Sequence, residues 1–142
     1  MNKGRTAFTA VAMAATLAGA NVAFGHGDMT PQPVETKGLP DLGPDWKSDN
    51  PYRGNARALE VGTSGYNQNC ARCHGLDVKS GGIAPDLRYL ATGDEGDVWF
   101  SYRVINGAER DGRVYMPKFY GVLSQEALWA IRTYIESKHV DE

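Results

Sequence analysis

Asn69-Cys70-Ala71-Arg72-Cys73-His74-Gly75 is the stretch on which the reading of this chain turns. Cys-x-x-Cys-His is the pattern of c-type haem attachment. Two thiols one helical turn apart can add across the two vinyl groups of a haem. The histidine that follows is then directed at the iron from one face. Cys70 and Cys73 are the two cysteines of the chain. In an oxidising compartment a small disulfide is the plainer alternative. Its thioredoxin-like form wants a βαβ setting, and no strand signals flank the pair. A zinc site would need two more ligands, and the spare histidines, His26 and His139, lie near the two ends of the chain that remains after the leader.

Working outward to the N-terminus, Lys3 and Arg5 precede an uncharged, alanine-rich run from Thr6 to about Ala18. Small residues follow at Ala18-Gly19-Ala20 and at Ala23-Phe24-Gly25. This order predicts a secretory signal peptide over residues 1–25, cleaved after Ala20 or Gly25, and hence a periplasmic location. The apolar run is too short to span a bilayer, and no second one follows, so no membrane span is expected in the mature protein. Removing Lys3 and Arg5 takes the formal charge from −2 to −4. What is left, roughly 120 residues, is the size of one modest domain. An acidic chain with no phosphate-neutralising stripe excludes nucleic acid as a partner.

Residues 26–55 hold five of the seven prolines: Pro31, Pro33, Pro40, Pro44 and Pro51. Proline donates no amide hydrogen bond and fixes its own φ, so this stretch predicts an extended arm rather than a long helix. Leu39, Leu42, Trp46 and Tyr52 could anchor it across a domain formed by residues 56–142. Within that domain Ala56 to Asn69 reads as a helix, with Leu59, Gly62 and Tyr66 on one face. Gly62 costs helix stability relative to alanine, and a close helix crossing would explain it. A second helix is expected from Asp94 to about Ile105, with Asp94, Glu95 and Asp97 suiting its dipole and Val98, Tyr102 and Ile105 forming its stripe. Ala108 to Val114 reads as a charged, glycine-containing loop. Ser124 is a good N-cap for a last helix reaching Lys138, with Ala127, Leu128, Ile131, Tyr134 and Ile135 as its apolar face. No alternating run is long enough to argue for a sheet. The expected fold class is all-α: three to four helices wrapped around one covalent haem, whose macrocycle supplies the apolar centre that so small a domain lacks.

The iron's second axial position decides what such a haem does. Methionine there makes an electron carrier and raises the potential. After the leader only Met29 and Met116 are left, and Met116, on an inter-helix loop 42 residues beyond His74 and next to Pro117, is the candidate. His139 and His26 are competitors. His139, at the frayed end of the last helix, is expected to be solvated. A loop carbonyl at Pro85 could accept the proton of the ring nitrogen of His74 that faces away from iron, although a proline that merely shapes the turn fits the spacing equally well. Trp99, Arg103, Arg113 and Tyr115 could donate to the haem propionates, and nothing in the spacing selects one.

With these residues set out, the chain resembles the class I c-type cytochromes. Asn69 to Gly75, Ile83-Ala84-Pro85-Asp86-Leu87, Met116-Pro117-Lys118-Phe119 and Leu123-Ser124-Gln125-Glu126 occur in that family's order. The resemblance implies haem c with iron, covalently held by Cys70 and Cys73 and ligated by His74 and Met116. It assigns Gly82, Pro85 and Leu87 to the loop on the proximal side, with the Pro85 carbonyl accepting from His74. It also implies that Gly62 and Tyr66 cross Tyr134. Gly38-Leu39-Pro40-Asp41-Leu42-Gly43, Asn50-Pro51-Tyr52-Arg53-Gly54, Gly82 to Leu90 and Gly121 to Glu126 are similar to the c-550 group that serves pyrroloquinoline-quinone alcohol dehydrogenases, and so is the proline-rich arm. That likeness implies a monomeric electron-transfer protein, not an enzyme. It would accept single electrons from a quinoprotein alcohol (ethanol) dehydrogenase and pass them to another cytochrome or a terminal oxidase. A general periplasmic carrier, or a haem enzyme or gas-binding protein with an open sixth position, are the alternatives.

Overall fold

The computed structural model describes Met1 and residues 30–141. Apart from Met1, the expected signal peptide lies outside the described residues, as do His26 and Met29.

Helix α1 (Ala56–Asn69) begins where the Asn55 side chain accepts from Ala58 N at 3.1 Å. A one-turn helix, α2 (Ala71–His74), follows directly, and 3₁₀ turns occupy Leu76–Val78 and Leu87–Tyr89. Then come α3 (Gly93–Asn106), a hairpin of β1 (Ala108–Arg110) and β2 (Arg113–Met116), and α4 (Gln125–Ser137). As expected, the protein is mostly helical. The Ser124 hydroxyl caps α4 by accepting from Ala127 N at 3.2 Å, the kind of contact worth ~1 kcal/mol.

The core is the crossing of α1 and α4. Ala127, Leu128, Ile131, Tyr134 and Ile135 are all buried, as their spacing predicts. On α1 the buried set is Ala58, Val61, Gly62, Gly65 and Tyr66, whereas Leu59 is exposed. A Cβ on Gly62 would lie 1.9 Å from the carbonyl oxygen of Ala130, so only a hydrogen fits between the two backbones. The Tyr66 and Tyr134 rings meet beside this point with centroids 5.2 Å apart.

Helix α3 turns a different face inward from the one its apolar spacing predicts. Gly96, Asp97, Phe100 and Val104 are buried, while Val98 and Tyr102 are exposed and Ile105 is half-buried. Asp97, expected to serve the helix dipole, is the reason. Its carboxylate accepts from Arg132 Nε, Arg53 Nη2 and Asn50 N, each at 2.7 Å. The Asp97 and Arg132 side chains are wholly buried. A buried charge persists only when paired in this way, and the pair fixes the rotation of α3 against α4. Phe100 then packs on Trp129, with ring centroids 6.0 Å apart.

Residues 30–55 form the extended arm. Gln32 N donates to Asn69 Oδ1 at 2.6 Å, Leu42 N to Glu126 Oε1 at 3.1 Å, and Asn50 Nδ2 to Thr133 Oγ1 at 3.0 Å. Trp46 stacks at 5.0 Å on Trp129, and buried Tyr52 donates its hydroxyl proton to the Pro40 carbonyl. The four apolar anchors expected from sequence all pack on the core.

The stretch read as a charged loop is a two-stranded antiparallel hairpin. Asp111 and Gly112, at φ 52° and 70°, make its turn. Two successive positive φ values match the twist of a hairpin, which is why Asp-Gly favours one. Opposite Ala108 stands Met116, and opposite Glu109 stands Val114, so Tyr115 is an extra, bulged residue. A bulge breaks the in-out alternation and re-aims the next side chain. Val114 and Tyr115 are both exposed, and Met116 turns towards the core.

Candidate functional site

The cysteines are presented by the junction of α1 and α2. Cys70 N still donates to Tyr66 O at 2.8 Å, and Cys73 N and His74 N both donate to Cys70 O, at 3.1 and 2.9 Å. One turn of helix therefore holds the two thiols on the same side. Both are free and half-buried, so the disulfide alternative is not realised. Among the described residues no group of three or more His, Cys, Asp or Glu stands close enough to hold a metal. Burial, and secondarily the neighbouring Cys73, pushes the Cys70 thiol up to about 12.

His74 Nδ1 lies 2.9 Å from the Pro85 carbonyl oxygen. A carbonyl only accepts, so Nδ1 carries the proton and Nε2 keeps its lone pair. Burial lowers the imidazole pKa, opposed by the Pro85 bond, and favours the neutral ring. A neutral imidazole with a fixed tautomer is what a metal ligand requires. The loop that delivers Pro85 starts from Gly75, whose carbonyl accepts from the Tyr66 hydroxyl at 2.9 Å.

Met116 is half-buried and packs on the core, as do Cys70, Leu87, Leu90 and Ile105. Its neighbour Pro117 lines a small cleft of about 30 Å³ together with Asn69, Arg72 and Cys73. The methionine segment and the Cys-x-x-Cys-His segment, 42 residues apart in sequence, are thus adjacent. The competitor His139 is half-buried rather than solvated, with Nδ1 3.1 Å from the Leu90 carbonyl and Nε2 3.5 Å from Asp141. Its ring is thus engaged by Leu90 on one side and the tail residue Asp141 on the other. Trp99, Arg103, Arg113 and Tyr115 are all exposed, and the Arg103 guanidinium lies over the Trp99 and Tyr102 rings at 5.6 and 5.5 Å. No geometry selects one of them as a propionate donor.

The residues around these elements fit a haem. Val98 (64% exposed) and Tyr102 (55%) on the outer face of α3, and Ile83 (80%) on the loop before Pro85, leave large apolar side chains in the open. Large apolar side chains left this open are of the kind that a bound group covers. A planar apolar macrocycle tethered at Cys70 and Cys73 has the right character.

Residues 57–135 match the family model described as cytochrome C oxidase, cbb3-type, subunit III. Cytochrome c550 of Pseudomonas aeruginosa is 64% identical over 126 residues, which covers 86% of this chain and 87% of that protein. The chain belongs to the class I c-type cytochromes. Two quinohemoprotein alcohol dehydrogenases of Pseudomonas putida also contain a similar segment. ADH IIB is 32% identical over 84 residues, 59% of this chain but 12% of that enzyme. ADH-IIG is 33% identical over 78 residues, 55% of this chain and 10% of that enzyme. No solved structure gives a significant match. Family membership supplies the cofactor, covalently bound haem c with its iron, and the two cysteines fit its attachment. It also makes this cytochrome an electron-transfer protein rather than an enzyme. Among the described residues no helix is long and apolar enough to cross a membrane.

Sequence reasoning missed the pairing of Asp97 with Arg132, which sets the position of α3, and the contacts among Ser80, Asp86 and Arg88, which hold the loop around Pro85. The first pair left no local signal, because its partners are 35 residues apart. The second was legible as an aspartate two residues before an arginine, a spacing that favours a local side-chain to backbone turn.

Proposed function

We propose that this electron carrier takes single electrons from a quinoprotein alcohol dehydrogenase acting on ethanol, and passes them to another cytochrome or a terminal oxidase in the periplasm. Cys70 and Cys73 would anchor the haem covalently, and His74 and Met116 would ligate its iron. Residues 1–25 are the export signal, 26–55 the arm and 56–142 the haem domain of a monomer. The observation that carries the reading is the His74 tautomer: the 2.9 Å bond to the Pro85 carbonyl leaves Nε2 available beside both thiols. When bound, haem c supplies a reversible Fe(III)/Fe(II) couple. The protein's part would be to hold the iron with the His74 and Met116 side chains, so that no substrate reaches the metal, and to raise the potential through the methionine sulfur. The donor assignment is supported by the dehydrogenase segments similar to this chain and by the phrases around Pro40, Pro51 and Pro85. Docking is brief, with a contact at the small end of protein interfaces, below ~1,200 Å².

Two measurements test this. The oxidised protein should show a methionine-to-iron charge-transfer band that Met116→Ala abolishes, and the reduced protein should not respond to carbon monoxide. An intact band in Met116→Ala would move the sixth ligand elsewhere. In stopped flow, purified quinoprotein dehydrogenase with ethanol should reduce the cytochrome rapidly and in a salt-dependent manner. Slow, salt-insensitive reduction would make it a general carrier.

A further inference from the structure

The acceptor for His74 sits in a loop that has little reason to stay in place. Gly81, Gly82, Ile83 and Pro85 are exposed, and no regular element runs through them. The loop is instead held by a set of polar contacts that flank Pro85 on both sides. Ser80 Oγ donates to the Ala84 carbonyl at 2.5 Å and accepts from Gly82 N at 3.0 Å. Ser80 N donates to Asp86 Oδ2 at 3.2 Å. Asp86 in turn receives Arg88 N and Nε on Oδ1, at 3.1 and 3.0 Å, and Arg88 Nη2 on Oδ2 at 2.8 Å. The backbone carbonyl of Arg88 accepts from Val140 N at 3.1 Å, which ties this set to the C-terminal tail. One carboxylate thus takes four N–H groups, two of them from a guanidinium fork, an arrangement that is geometrically demanding and strong. Arg88 holds the Asp86 carboxyl well down, at about 2, so it is ionised across the working range.

We propose that Ser80, Asp86 and Arg88 are positioning residues that fix the Pro85 carbonyl against His74 Nδ1 and thereby lower the reduction potential of the haem iron. The proposal rests on His74 being an iron ligand. The firmer the carbonyl's hold on the Nδ1 proton, the more basic Nε2 becomes. A more basic ligand favours the more highly charged ferric iron. Loosening the brace should weaken the Nδ1–H bond and favour reduction. Ser80, Asp86 and Arg88 are distinct from the residues proposed to attach the haem or ligate its iron, so their effect should be separable from haem attachment.

The test uses two variants of the full haem-loaded protein that leave net charge unchanged: Ser80→Ala, and the double variant Asp86→Asn with Arg88→Gln. The equilibrium constant for reduction by a reference mediator should rise about threefold in each, equivalent to ~30 mV at 59 mV per decade for a one-electron couple. The His74 Nδ1–H proton, followed by NMR, should exchange with solvent faster in the same variants, and Ser80→Thr, which keeps the hydroxyl, should restore both values. Parent values in both variants would overturn the proposal. So would a raised potential with unchanged proton exchange, which would mean a field effect acting elsewhere. Failure of both variants to keep haem would also overturn it, in favour of a purely structural brace. The low-spin His/Met spectrum of the parent tests the ligation reading separately, so the two failures are distinguishable.

Discussion

Replacing Gly62 by alanine puts a methyl group where two backbones meet. The new Cβ would lie 1.9 Å from the carbonyl oxygen of Ala130 and 2.5 Å from its carbonyl carbon. Both atoms belong to the backbone of α4 and cannot rotate away. An ordinary C···O contact is ~3.3 Å or longer, so α1 and α4 must part by roughly 1.4 Å. A gap of half an ångström to one ångström already forfeits a quarter to a half of each dispersion contact. The Tyr66–Tyr134 pair, at 5.2 Å, stands beside the wedge and would be pulled apart. Overpacking at ~1–3 kcal/mol and loss of most of an aromatic pair at ~0.5–1.5 kcal/mol are offset by ~1 kcal/mol of helix propensity gained over glycine. The net expectation is a loss of ~0.5–3.5 kcal/mol, centred on ~2 kcal/mol, or ~10 °C in Tm for a domain of this size. Gly65→Ala is the control. Its Cβ would meet Ile131 Cγ1 at 3.0 Å, Ile131 Cδ1 at 3.2 Å and Val34 Cγ1 at 3.2 Å. Side-chain ends can give by a few tenths of an ångström, so propensity should keep this variant within ~1 kcal/mol of the parent. Guanidinium and thermal unfolding of both proteins at equal haem content decides the matter. A Gly62→Ala protein as stable as Gly65→Ala would refute the reasoning.

Two further outcomes follow from the charged groups. Asp97→Ala should cost ~3–5 kcal/mol in denaturant unfolding, because it strands the buried Arg132 guanidinium. Arg53→Ala, whose side chain is 41% exposed, should cost no more than ~1 kcal/mol, and equal losses would show that Asp97 is held chiefly from the solvent side. Asp86 is depressed to about 2 in the folded protein, against ~3.9 for a free aspartate. Its contribution is therefore complete above the free value and disappears as pH falls through about 2. The stability gap between parent and Asp86→Asn should close between about pH 4 and 2, and a gap that persists unchanged through that window would mean that the carboxylate charge adds nothing.

The parts of the fold that sequence revealed are those whose cause is local. The capping residue Ser124, the apolar stripe of α4, the proline-rich arm and the Cys-x-x-Cys-His turn each announce themselves within a few residues. The face that α3 buries did not, because it is chosen by Arg132 on another helix rather than by the spacing of Val98, Tyr102 and Ile105. Of that stripe only Ile105 packs on the core, while Val98 and Tyr102 stay exposed. The hairpin was overlooked for a different reason. Its strands are short and charged, so alternation carries little weight, and Asp111-Gly112 was the usable signal. At the site, spacing alone allowed Pro85 two roles, and the 2.9 Å approach of His74 is the geometry that the acceptor role requires.

The arm also imposes an order in time. Its partners Glu126, Gln125 and Thr133 lie 84, 78 and 83 residues further along the chain, and α1 likewise waits for α4. A chain that emerges from its N-terminus therefore cannot complete its core until nearly all of it has appeared. Contacts of such long range form late and slowly. Cys70 and Cys73, midway along, pass through that interval with their thiols uncovered, before burial pushes the Cys70 thiol up to about 12. The same long-range architecture that makes the finished protein a closed unit gives an attachment machinery its opportunity while the chain is still open.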